Sequence, residues 1–135
     1  NLNLVGFDTT RVTHMALMFS KCHTLESLNL SGFNTSHVTR MEGMFSECQS
    51  LRSLDLSRFN TSRVTDMRYM FSRCYSLQAL NLSGFDTSKV KSMEGMFAFC
   101  NSLRQVVLVG CNYQTVSAIR RALSEAGLTN VEILR

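Results

Sequence analysis

The sequence predicts an α/β repeat solenoid: a parallel sheet of about six strands, backed by about five short helices. Three observations predict it. A 26-residue unit runs from Leu28 to Thr39 and onward, returns at Leu54 and Leu80, and has an earlier copy from Leu2. A Leu-x-Leu pair opens each copy, and Val, Met and Phe at helical spacing follow it. A period between 20 and 50 residues marks stacked supersecondary units, none of which can bury its apolar face alone.

The strands come first in each unit. Leu2/Leu4, Leu28/Leu30, Leu54/Leu56 and Leu80/Leu82 alternate with polar residues, so one side of each pair faces a core and the other faces out. Leu25, Leu51, Leu77 and Leu103 lie three residues upstream of the next pair and complete Leu-x-x-Leu-x-Leu, the strand signature of leucine-rich repeats. Phe7, Phe33, Phe59 and Phe85 then plug the turn. An Asp/Asn-Thr-Ser/Thr triplet, as in Asn34-Thr35-Ser36, supplies side chains that accept from free amides at a helix start. Val38, Met41, Met44 and Phe45 fall at i, i+3, i+6 and i+7, as do Val64, Met67, Met70 and Phe71, which predicts one buried helical face. Cys22, Cys48, Cys74 and Cys100 occupy one column. With Cys111 the total is odd, which argues for buried reduced thiols rather than a disulfide framework.

Residues 1–105 therefore read as four repeats and residues 106–135 as a degenerate fifth that acts as a C-terminal cap. Val106 and Leu108 take the strand positions, and Val116, Ile119 and Leu123 take the helical ones. The helix is expected over Ser117 to Ala126, stopped by Gly127 in the left-handed conformation, and Val131 to Leu134 reads as a sixth strand. The 135 residues fit one domain. A formal charge of +4 is mildly basic and does not by itself imply nucleic acid, which is not expected as a partner. No run of 18 apolar residues is present, so no membrane span is expected. The chain opens inside a repeat without a signal peptide, which points to a piece of a longer protein.

Over Leu-x-Leu-Ser-x-Phe-Asn/Asp-Thr-Ser-x-Val-x-x-Met-x-x-Met-Phe-x-x-Cys-x-x-Leu, covering residues 2–105, the chain resembles the BspA-like leucine-rich repeat surface proteins of bacteria. It departs from the common leucine-rich repeat in placing Phe59 and its equivalents at the usual Asn or Cys ladder position. The resemblance implies a curved parallel sheet with its short helices on the convex side, in a bacterial protein, surface-anchored or secreted, with an adhesive role toward host proteins or other bacteria.

Two surfaces are candidates for a protein or other macromolecular partner. The outward sheet face carries Asn3, Asn29, Asp55 and Asn81 in one column and Ser31, Ser57 and Ser83 in another. It is small and polar and lacks the Trp and Tyr anchors of strong interface centres. A basic stripe runs through Arg11, His37, Arg63 and Lys89, flanked by His14 and Arg40; it would attract acidic groups, or serve only as a solvated face. Catalysis is not expected. His14, His23 and His37 fall in three columns, and Cys22 belongs to the thiol ladder instead of standing as an exposed thiolate beside a base. No close Cys-x-x-Cys pair offers a metal site, and no cofactor is expected. The expected function is an adhesin-like binding module; the alternative is a structural spacer that projects another domain. Open repeat ends also predict end-to-end self-association.

Overall fold

The computed structural model describes residues 2–135. Six short strands form: β1 (Leu2–Asn3), β2 (Leu28–Asn29), β3 (Ser53–Asp55), β4 (Ala79–Asn81), β5 (Gln105–Val107) and β6 (Glu132–Leu134). All pairing is parallel, and most of it links residues 26 apart, such as Leu54 with Leu80 and Leu80 with Val106. The alternation works as its period requires: Leu54, Leu80 and Val106 are buried while their outward neighbours are not. The strands do not make one curved sheet. β1 pairs with β2, β3 to β6 form a separate four-stranded sheet, and no pairing joins β2 to β3.

The predicted α/β repeat solenoid with five helices is overturned by this arrangement. One helix forms among the described residues, α1 (Tyr113–Glu125), and the other four predicted helices are runs of turns. The hydrogen bonds give the reason. In Met41–Cys48 alternate amides point in two directions. Met41, Gly43, Phe45 and Glu47 donate to Asp66, Arg68, Met70 and Ser72 of the following unit, at 2.8–3.0 Å. Met44, Ser46 and Cys48 donate locally to Met41, Gly43 and Phe45, three residues back. An α-helix needs every amide to reach back four residues, so carbonyls supplied by the neighbouring unit displace it. Two positions per unit, four residues apart, turn left-handed to keep this alternation. They are Leu17 and Lys21, Gly43 and Glu47, Tyr69 and Arg73, and Gly95 and Phe99, with φ between 58° and 65°. The apolar spacing i, i+3, i+6, i+7 predicts a helix, but it equally suits this two-way ribbon.

The core is built of repeated columns. Phe19, Phe45, Phe71 and Phe97 stack with ring centroids 5.7 Å apart at each step and planes within 12° of parallel. Met41, Met44, Met67, Met70 and the leucines of the strands fill the space beside them. A buried threonine in each of the first three units, Thr9, Thr35 and Thr61, clips it to the next. Its hydroxyl donates to the carbonyl of Asn34, Asn60 or Asp86 and accepts from the same residue's amide. Asp8, Asn34, Asn60 and Asp86 do accept the amide two residues on, as capping side chains would, but turns follow instead of helices.

α1 begins at Tyr113, four residues ahead of the predicted Ser117. Its N-cap is Asn112, whose side chain accepts from the Thr115 amide at 2.8 Å. It ends as expected, with Gly127 at φ +75° and the Leu128 amide donating to Leu123. Thr115, Val116, Ile119, Ala122 and Leu123 form its buried face. α1 keeps its carbonyls for its own turns, so the amides of Met93, Gly95, Phe97 and Phe99 have no acceptor among the described residues.

One packing detail carries a prediction. At the first left-handed position large side chains alternate with glycine: Leu17, Gly43, Tyr69, Gly95. A Cβ on Gly95 would lie 2.4 Å from the Tyr69 ring, and one on Gly43 would lie 2.5 Å from Leu17 Cδ2. Gly95→Ala is expected to destabilise the chain by about 1–3 kcal/mol, part strain at positive φ and part clash. Chemical denaturation checks it. In a Tyr69→Ala background the clash is gone, so the cost of Gly95→Ala should shrink there.

Candidate functional site

The outward sheet face is accessible where the sequence places it. Asn3, Asn29, Asp55 and Ser31 are exposed, and Asn81, Ser57 and Ser83 are half-buried. These side chains already have work within the fold. The side-chain oxygens of Asn3, Asn29, Asp55 and Asn81 accept the amides of Val5, Ser31, Ser57 and Ser83 at 2.9–3.0 Å. Asn29 also takes the Ser31 hydroxyl at 2.8 Å, and Ser83 Oγ takes the Val109 amide at 3.0 Å. The column read as a partner surface is thus also the column that turns each strand end, an Asx turn repeated at each unit. Each Asn keeps its amide nitrogen, and Asp55 its second oxygen, for other contacts.

Two hollows mark this face. One, about 320 Å³, is the gap between β2 and β3, with Leu30 and Phe59 at its floor and Asn29, Ser31, Asp55 and Arg58 around it. The other, about 260 Å³, lies over β3, β4 and β5 and also reaches Asp55. Arg58 was not singled out from the sequence. The available signal was the break it makes in the column Gly6, Gly32, Arg58, Gly84, Gly110.

The basic stripe is present as four exposed residues. Arg11, His37, Arg63 and Lys89 all lie at the surface, and none joins an ion pair among the described residues. His37 Nδ1 lies 3.0 Å from the Thr10 carbonyl oxygen, which ties that ring to the preceding unit. The flank behaves differently. His14, Arg40, Asp66 and Ser92 form a line of parallel bridges, in which Arg40 pairs with Glu42 and approaches Asp66 at 3.6 Å. Arg68 binds both oxygens of Asp66, and its hydrogen bonds hold the Asp66 carboxyl below the usual carboxylate range. Arg40 is therefore neutralised and adds little to the stripe.

Aromatic side chains missed in the sequence reading lie on the turn side. Tyr69, Tyr75 and Phe99 are exposed, with the Arg73 guanidinium 4.7 Å from the Phe99 ring centroid and 3.2 Å from the Tyr75 hydroxyl.

All five cysteines are free thiols. Cys48, Cys74 and Cys100 are fully buried, and each S–H donates to a phenylalanine carbonyl, of Phe19, Phe45 and Phe71, at 3.0–3.2 Å. Burial pushes the Cys48 and Cys100 thiols up to about 12 and raises that of Cys74 as well. The unfolded chain would release these protons near pH 9, so folding holds them on. Their contribution to stability is complete below pH 9 and is lost as pH rises toward 12. Denaturation midpoints should fall across that window, and a Cys48→Ala/Cys74→Ala/Cys100→Ala variant should show a flatter dependence. No group of three or more His, Cys, Asp or Glu among the described residues is placed to hold a metal ion. No helix of the described residues is long and apolar enough to cross a membrane.

A family model described as "Mycoplasma protein of unknown function, DUF285" matches residues 1–108. The chain belongs to that family. The DUF285 match takes in the four units and β1 to β5, and it ends before α1. The DUF285 family is related to the BspA-like repeat proteins, the resemblance that the 26-residue motif carries. No curated protein and no solved structure matches the chain.

Proposed function

We propose that this DUF285 chain is a protein-binding, adhesin-like module of a bacterial surface or secreted protein, which reads its partner with the polar sheet face. The observation that carries the reading is the exposed face itself, with two adjoining hollows that meet at Asp55. Backbone-anchored Asn and Asp side chains give that face a fixed polar pattern, which lowers the entropy cost of docking. The relation to BspA-like proteins supports the cell-surface setting. Partner capture by the intact protein tests the reading. Changing Asn29 and Asn81 to Asp and Asp55 to Asn keeps each turn-holding oxygen but redraws the charge of the face, so it should abolish capture while the fold, followed by circular dichroism, persists. Undiminished capture would reject the sheet face.

A second reading, a structural spacer, has its own observation. The Asn and Asp oxygens are engaged in holding their own turns, and the stacked Phe column stiffens the units. A spacer predicts that no substitution on the sheet face alters any partner interaction of the whole protein.

A further inference from the structure

We propose that the gap between β2 and β3 is a recognition cleft for an extended protein segment, one that offers an acidic side chain to Arg58 and a basic side chain to Asp55. The inference rests on the sheet-face reading and narrows it to one place and one chemistry.

Three departures from the repeat coincide there. The first is in the backbone. At equivalent positions of other units the strand-end amide crosses to the next strand: Leu4 donates to Asn29, Leu56 to Asn81 and Leu82 to Val107, at 2.8–3.3 Å. Leu30 is the exception, and no bond from its amide to β3 exists among the described residues. The second departure is Arg58, the single charged residue in a column of four glycines. Gly84 and Gly110 hold φ near +80°, and the Gly84 amide donates to Val109. Gly6, Gly32 and Arg58 stay out of that region, so the departure at Arg58 is its charge. The third is Asp55, the one carboxylate in a column otherwise made of Asn3, Asn29, Asn81 and Val107.

Both charged exceptions line the same cleft, yet they form no ion pair with each other or with any described residue. Two opposite charges left apart at the rim of an apolar floor are complementary to a ligand that carries both signs. A ligand of one sign would gain at one residue and be repelled at the other. The cleft is at the low end of small-ligand pocket size, large enough for a side chain or two and not for a globular element. An extended segment also presents backbone carbonyls, which the Leu30 amide could serve.

The experiment uses the full 135-residue chain and fluorescein-labelled, end-capped peptides followed by polarisation. Cores of Lys-x-Glu and Glu-x-Lys are compared with Lys-x-Lys, Glu-x-Glu and Gln-x-Gln. Asp55→Asn and Arg58→Gly each restore the residue that other units carry at that position, so both variants keep the fold. One mixed-charge core is expected to bind at least tenfold more tightly than Gln-x-Gln. Arg58→Gly should remove the part of that gain owed to Glu, and Asp55→Asn the part owed to Lys. Amide shift changes should fall at Leu30, Asp55 and Arg58. Mixed-charge peptides that bind no better than Gln-x-Gln, or shift changes elsewhere, would overturn the proposal. Partner capture that survives Asp55→Asn/Arg58→Gly but fails with Asn81→Asp, which keeps the turn-holding oxygen, would reject the cleft and leave the sheet face standing.

Discussion

Phe71→Ala is expected to lower the stability of the chain by about 3–5 kcal/mol, the usual cost of removing a buried aromatic ring. Phe71 is fully buried and stacks on both sides, against Phe45 and Phe97 at 5.7 Å. Its loss opens a cavity in the middle of the column, where neither neighbour can collapse without leaving its own unit's register. Domains of this size hold a total of about 5–15 kcal/mol, so the variant should lose a large share of its stability and melt some 10–20 °C lower. Position along the column sets the order. Phe19 stacks on a single coplanar ring, Phe45, and is slightly exposed at the first unit. Phe19→Ala should therefore cost less than Phe71→Ala. Equal costs would mean that the rings act independently of their stacking.

Thr61→Val is the second large effect. The substitution conserves shape and removes only the hydroxyl. That hydroxyl accepts from the Asp86 amide at 2.8 Å and donates to the Asp86 carbonyl at 2.9 Å, and Thr61 is almost entirely buried. Both Asp86 backbone groups, at a part-buried site, would lose these partners, at about 2–3 kcal/mol together once partial access to water is allowed. Thr61→Ser keeps the hydroxyl and loses one methyl, so it should cost about 1 kcal/mol. Urea denaturation of the pair separates the two contributions. If Val and Ser prove equally costly, methyl packing rather than the backbone clip holds these units together.

The strands and the terminal helix were legible in the sequence, the fold class was not, and the parts that failed share a cause. The Leu-x-Leu pairs announced their strands, because an alternating pattern needs only one unit to be read. Gly127 marked the end of α1, while its start at Tyr113, capped by Asn112, lies ahead of the expected Ser117; the helix forms there because its amides face no competing row of carbonyls. The segment Met41–Cys48 has the same apolar spacing as a helix, and only the carbonyls of Asp66, Arg68, Met70 and Ser72 decide otherwise. Those acceptors lie about one period away, beyond the reach of local spacing. Gly43 and Gly95 hinted at left-handed turns; Glu47, Arg73 and Phe99 adopt the same conformation with no such hint. The site shows the same division. The Asn/Asp column was legible as an outward face, but its role in capping turns follows from the backbone path. The gap between β2 and β3 left a trace only in Arg58 and Asp55, the two residues that break their columns.

The ladder between neighbouring units is the claim from which the rest follows, and one measurement addresses it directly. Scalar coupling across hydrogen bonds, read by NMR in the intact chain, identifies which carbonyl each amide uses. The Phe45 amide should couple to the Met70 carbonyl carbon and the Glu47 amide to that of Ser72, with left-handed shifts at Gly43 and Glu47. Coupling of Phe45 to Met41, four residues back, with helical shifts throughout residues 41–48, would contradict the account.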